Sequence, residues 1–149
     1  RRQRQMCIRD RLYACGMFAW AGSQRQPGGF YRVRATGKPA HAPVGLQTAP
    51  RQLRISFSDP LDRDSAERAA NWEIEAWDLK RTRNYGSRHY NQRRWQVAGV
   101  TLSNDGLVAT LEIPDLIPTW GMSIRLKIRG VGGEQVLREI HNSIHKIVK

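Results

Sequence analysis

From Arg51 onwards the chain alternates. Leu53, Ile55 and Phe57 are interleaved with Gln52, Arg54 and Ser56, a period of two that fits a strand with one buried face. The pattern returns where Trp72, Ile74 and Ala76 straddle Glu73 and Glu75, and where Ile124, Leu126 and Ile128 straddle Arg125 and Lys127. "WQVAGVTLS" and "LVATLEI" read as two more strands, joined by Asn104-Asp105-Gly106, a strong hairpin signal. Asp59-Pro60 ends the first strand, and Asp62 or Asp64 is placed to cap a short helix in "LDRDSAERAAN". Pro114 and Pro118 bound a loop, Gly130 to Gly133 turn the chain, and a last, bent strand is expected over about residues 136–148. Six or seven short strands in roughly 100 residues predict an all-β chain, an Ig-like β-sandwich over residues 51–149. No cysteine pair is available for the inter-sheet disulfide of antibody domains, so Trp72, Trp77, Trp95 and Trp120 are expected to fill much of the core.

The segment before the sandwich divides into three. Residues 12–37 read as two strands rich in aromatic and β-branched residues (Tyr13, Phe18, Trp20, Phe30, Tyr31, Val33), with Pro27-Gly28-Gly29 supplying the turn. Two strands alone are marginal in water, so this hairpin wants a neighbouring sheet. Residues 38–50 carry Pro39, Pro43 and Pro50 and are expected to be a linker at a domain boundary. Residues 1–11 fit neither element. The string MCIRDR (residues 6–11) is what ATG TGT ATA AGA GAC AGR would encode, and that DNA resembles the transposase end used in sequencing libraries; residues 1–5 would then be read-through. The alternative is a native, disordered basic arm.

The net charge is +12; five arginines against Asp10 give the first eleven residues +4, leaving +8 for the body. Basic residues are spread along the chain rather than gathered in one block, which reads as a solvated surface more than as a nucleic-acid footprint. No apolar run approaches the roughly 18 residues of a membrane-spanning helix. Cys7 and Cys15 form no CxxC or CxxCH, so covalent haem attachment within this chain is excluded. No phosphate-binding glycine loop follows a strand, and no Ser/His/Asp set is legible, so the segment reads as non-enzymatic.

The candidate contact region is residues 78–95, read as one long loop. It interleaves Tyr85, His89 and Tyr90 with Arg81, Arg83, Arg88, Arg93 and Arg94. Rings to stack on beside guanidinium forks suit an acidic glycan or single-stranded nucleic acid; the same residues also suit a loop held on the sheet for domain docking. Arg83, Tyr85, Arg88, His89, Tyr90, Arg93 and Arg94 are the candidate partner or ligand contacts. His141 and His145 would share a helix face and could chelate a metal there. On the strand expected here they stand about 13 Å apart at roughly 3.3 Å per residue, too far for one ion. Asp59, Asp62 and Asp64 lack a calcium-loop pattern and read as a turn and helix cap.

Two stretches carry a resemblance. "GGFYRVRATGKPAHAPVGL" resembles the closing segment of the β-propeller in large exported bacterial proteins labelled sorbosone-dehydrogenase-like or haem-binding-domain proteins. "NYGSRHY", "PTWGM" and "IHNSIHK" resemble the domain that follows it. Ala35 departs from the pattern, standing where an aromatic is expected. The resemblance implies that residues 12–37 are the last hairpin of a propeller blade, and that the parent protein is exported, periplasmic or extracellular. It further implies a cytochrome-type domain with haem c elsewhere in the parent, and a sugar or alcohol dehydrogenase-like activity attached to the parent by family label alone. The present segment would hold no cofactor and no catalytic residue. Its partners would be the intramolecular propeller and the cytochrome domain, and its role structural docking and spacing. The alternative function is a basic module that binds acidic polysaccharide or nucleic acid through residues 78–95.

Overall fold

The computed structural model describes residues 11–15, 30–34 and 36–147. The chain divides into two units, Arg1–Lys38 and Pro39–Lys149. In the first, β1 (Arg11–Cys15) and β2 (Phe30–Arg34) pair antiparallel, with Leu12 opposite Val33 and Cys15 opposite Phe30. The expected strand residues Phe18 and Trp20, the turn Pro27-Gly28-Gly29, residue 35 and the head up to residue 10 lie outside the described residues.

The second unit is a sandwich of two four-stranded sheets. One has the order β3 (Pro43–Ala49), β4 (Gln52–Phe57), β8 (Val108–Glu112), β7 (Gly99–Leu102). The other has the order β10 (Gln135–Ile144), β9 (Thr119–Arg129), β5 (Trp72–Leu79), β6 (His89–Trp95). All pairings are antiparallel. Lettered in chain order, these are the A-B-E-D and G-F-C-C′ sheets of an immunoglobulin-type sandwich. The alternating residues meet between the sheets: Leu53, Ile55 and Ala109 from one face Ile74, Met122, Ile124 and Leu126 from the other, all essentially inaccessible. Phe57 meets Trp72 edge-on across the core, with ring centroids 6.5 Å apart. Asp62 caps a short helix, α1 (Arg63–Ala66), by accepting from the Ser65 N–H. A 3-10 turn (Ala69–Asn71) then feeds β5.

The structure corrects five expectations. Most of the expected linker 38–50 is β3, a strand hydrogen-bonded to β4 from Pro43 to Ala49; Pro43 is tolerated because it opens an edge strand, where no ladder donor is needed. The expected loop 78–95 is a hairpin: β5 runs on to Leu79, β6 begins at His89, and residues 80–88 connect them. Trp95 therefore closes β6 instead of opening the next strand, which starts at Gly99. The last strand stops at Ile144, after a register shift between Asn142 and Ile144. Of the four tryptophans expected in the core, Trp72 and Trp95 are there. Trp77 is buried on the outer face of its sheet, and Trp120 is 62% exposed.

The chain enters the sandwich at one pole and leaves it at the other. Pro43 pairs with Phe57, whose end of the sandwich also holds the β9–β10 turn through the bridge between Leu61 and Gly130. Ile144 pairs with Thr119 at the opposite end of β9, whose eleven residues span about 35 Å. The lead-in is fastened. The Ala40 and His41 N–H groups donate to one Asp59 oxygen at 2.9 and 3.0 Å, and the Ser58 hydroxyl donates to the same atom at 2.6 Å. Arg138 donates to the Ala40 carbonyl at 3.0 Å. His41, at φ 45°, buries its ring beside Gly130, 3.7 Å from Glu134.

These donors, the Ser58 hydroxyl first and the two backbone N–H groups next, hold the Asp59 carboxyl below its ordinary 3.8. A depressed carboxylate adds stability that is complete above its unfolded-state pKa and is lost as pH falls through the folded value. The unfolding temperature is therefore expected to drop as pH is lowered below about 4. Asp59→Asn should be less stable at neutral pH and show a shallower acid slope. Parallel acid profiles for the two proteins in thermal melts would contradict this role for Asp59.

Candidate functional site

The β5–β6 hairpin and the start of β9 build one end of the sandwich. Arg93 is committed to its scaffold. Its guanidinium lies 3.3 Å from Asp78 and donates to the Asn91 carbonyl at 3.1 Å and to the Thr119 hydroxyl at 3.2 Å. The Thr119 hydroxyl is in turn within bonding distance of the Trp77 carbonyl, 3.0 Å away. The Asp78 carboxyl is held below its usual range by the Asn91 amide first and by Arg93 second. Asn91, at φ 49°, sits in the irregular register between Ala76 and Asp78, a bulge that re-aims an edge strand.

His89 is committed too. Its ring stacks on the Trp77 indole with centroids 4.0 Å apart and planes 12° from parallel. Beside that indole lies Gly121, where an added Cβ would run into the Trp77 ring. Arg94 faces Glu75 in the ladder, away from the hairpin tip. The seven sequence-derived candidates thus separate. His89 is exposed but stacked on Trp77, Arg93 is tied to Asp78 and Thr119, Arg94 stands on the strand, and Arg83, Tyr85 and Arg88 stand on the connecting loop, with Tyr90 just inside β6.

The loop neck is tied by the Ser87 hydroxyl, which accepts from the Lys80 N–H at 3.0 Å and donates to the Arg88 carbonyl at 2.9 Å. Gly86 takes φ 81°, a left-handed turn position suited to glycine. Beyond the neck every residue from 80 to 88 is exposed, Tyr85 completely so. Two clefts flank the loop. One, of about 770 Å³, is bordered by Leu79, Arg81, Tyr85 and Trp120. The other, of about 480 Å³, is bordered by Tyr85, Arg88 and Tyr90. Trp120 is the residue that sequence reasoning missed here. Its alternation matches Met122, but it lies at the extreme start of β9, beyond the core, and its ring emerges. The signal was its position between Pro118 and Gly121, at a strand end.

His145 lies just past β10 with its ring edge-on to Trp120, centroids 6.3 Å apart, whereas His141 stands on β10 beside Glu139. The two histidines therefore have different surroundings. Among the described residues, no three His, Cys, Asp or Glu side chains gather as a metal site. Among the described residues, no helix is long and apolar enough to cross a membrane.

The fold and this exposed end define an immunoglobulin-type sandwich module. Solved structures of the same architecture include domains 1–6 of the surface layer protein SbsC, matched at a TM-score of 0.52 and 17% identity over 71% of this chain. The match spans 14% of the SbsC chain. A second structure, of the S-layer protein rSbsC, aligns at a TM-score of 0.49 and 18% identity, over 68% of this chain and 13% of that one. At these identities the likeness is one of fold. No family model matches the chain, and neither does any curated protein.

Proposed function

We propose that this chain is a non-catalytic structural module of an exported multidomain protein, a sandwich that docks and spaces neighbouring domains, with β1–β2 belonging to a larger sheet. The observation that carries the reading is the hairpin. Leu12 and Val33 share one face, and Tyr13 and Phe30, stacked at 5.5 Å, share the other. All four, and Tyr31, are at least half exposed. A sheet with apolar residues on both faces belongs between two other layers, as propeller blades do. That supports the blade reading drawn from the resemblance. The fastened lead-in at Asp59 and the opposite poles of entrance and exit suit a spacer that sets the direction of its neighbours. The sandwich fold shared with surface layer protein SbsC supports an extracellular setting. A haem-bearing domain in the same parent rests on the resemblance alone.

Reading the natural gene across this region on single long molecules tests the proposal. Further blade-like strands in frame ahead of Leu12, with MCIRDR gone, are the expected result. A start codon directly ahead of an intact head would overturn it.

A further inference from the structure

Beyond the structural role, we infer that the tip of the β5–β6 hairpin, together with Trp120, is a binding site for an anionic polysaccharide. Charge is the first observation. Lys80, Arg81, Arg83 and Arg88 stand on nine consecutive exposed residues, and no carboxylate occurs between Asp78 and Asp105. Among the described residues none of these four cations forms an ion pair; the one hairpin arginine that does, Arg93, is held by Asp78 below the tip. Four unneutralised cations on one loop repel each other, and an acidic ligand relieves that cost. Guanidinium forks match carboxylate geometry in pairs of hydrogen bonds.

Shape is the second. Trp120 is 62% exposed and borders the larger cleft with Tyr85, which also borders the smaller cleft with Tyr90. Exposed rings beside clefts of about 770 and 480 Å³, in the range of small-ligand sites, suit pyranose units, whose C–H faces pack flat on an aromatic ring. Trp120 is steadied for this by the edge of His145. Single-stranded nucleic acid would instead call for a basic groove with successive stacking platforms along it; here the rings flank separate clefts around one tip. The stacked ring of His89 and the paired Arg93 lie outside the site and hold its base.

The test is calorimetric titration of the whole chain with polygalacturonate, with neutral dextran and a thymidine oligonucleotide as comparison ligands, at about 50 and about 300 mM salt. Polygalacturonate should bind at low salt and weaken steeply at high salt, while dextran should not bind. Trp120→Ala should weaken binding by about tenfold or more, and Arg81→Ala/Arg83→Ala/Arg88→Ala should do the same, both with unchanged thermal melts. Absence of polygalacturonate binding at low salt would overturn the inference. So would binding indifferent to Trp120→Ala and to the triple variant, which marks a diffuse basic surface, or an oligonucleotide that binds more tightly than the polysaccharide. None of these outcomes bears on whether a propeller precedes the sandwich.

Discussion

Trp72→Ala is expected to lower the stability of the sandwich by about 3–5 kcal/mol, the cost of emptying a large aromatic site that neighbours only partly refill. Trp72 is 4% exposed and joins three parts of the fold. Its ring meets Phe57 of the opposite sheet, its indole N–H donates to the Ala66 carbonyl at the end of α1 at 2.8 Å, and its backbone pairs with Leu126. Trp72→Phe keeps most of the packing and drops the hydrogen bond, so its cost should stay near about 1–2 kcal/mol. Urea denaturation of the two variants separates the terms. Equal losses would show that the helix contact, and not the inter-sheet packing, is what Trp72 supplies.

The second large effect is expected on the outer face. Gly121→Val should cost about 3 kcal/mol, because the added atoms must enter the space of the Trp77 indole. Any shift of that ring also displaces His89, which is stacked on it. Gly121→Ala should cause a smaller loss of the same kind. Both variants should shift the ring resonances of His89, a change that core truncation elsewhere would not produce. Unchanged His89 resonances and an unchanged denaturation midpoint in Gly121→Val would contradict the Trp77 packing.

Strands whose alternation reports a buried face were legible in the sequence: Leu53-Ile55-Phe57, Trp72-Ile74-Ala76 and Ile124-Leu126-Ile128 all point into the core. Two edge strands were not. β3 carries only the partly buried Leu46 to the core, and its prolines read as linker chemistry. β6 contributes Trp95 alone to the core, and its remaining residues are polar or cationic, the composition that protects an edge from unwanted pairing and also that of a loop. The Trp77–Gly121 contact was illegible for another reason. It joins residues on neighbouring strands far apart in sequence, and it lies on the face that alternation assigns to solvent. At the candidate site, the basic and aromatic character of the loop was plain. The commitment of Arg93 to Asp78 and Thr119, and the emergence of Trp120 beside the loop, depended on which strand ends meet at one pole.

On the proposed reading, a self-sufficient sandwich carries a hairpin belonging to some larger sheet. Amide hydrogen exchange on the whole chain tests it directly. Slow exchange, governed by global unfolding, is expected in β4, β5, β8 and β9, and rapid local exchange in Arg11–Cys15 and Phe30–Arg34. Hairpin amides as protected as those of the sandwich core would contradict it, because the two strands would then have found their cover within this chain.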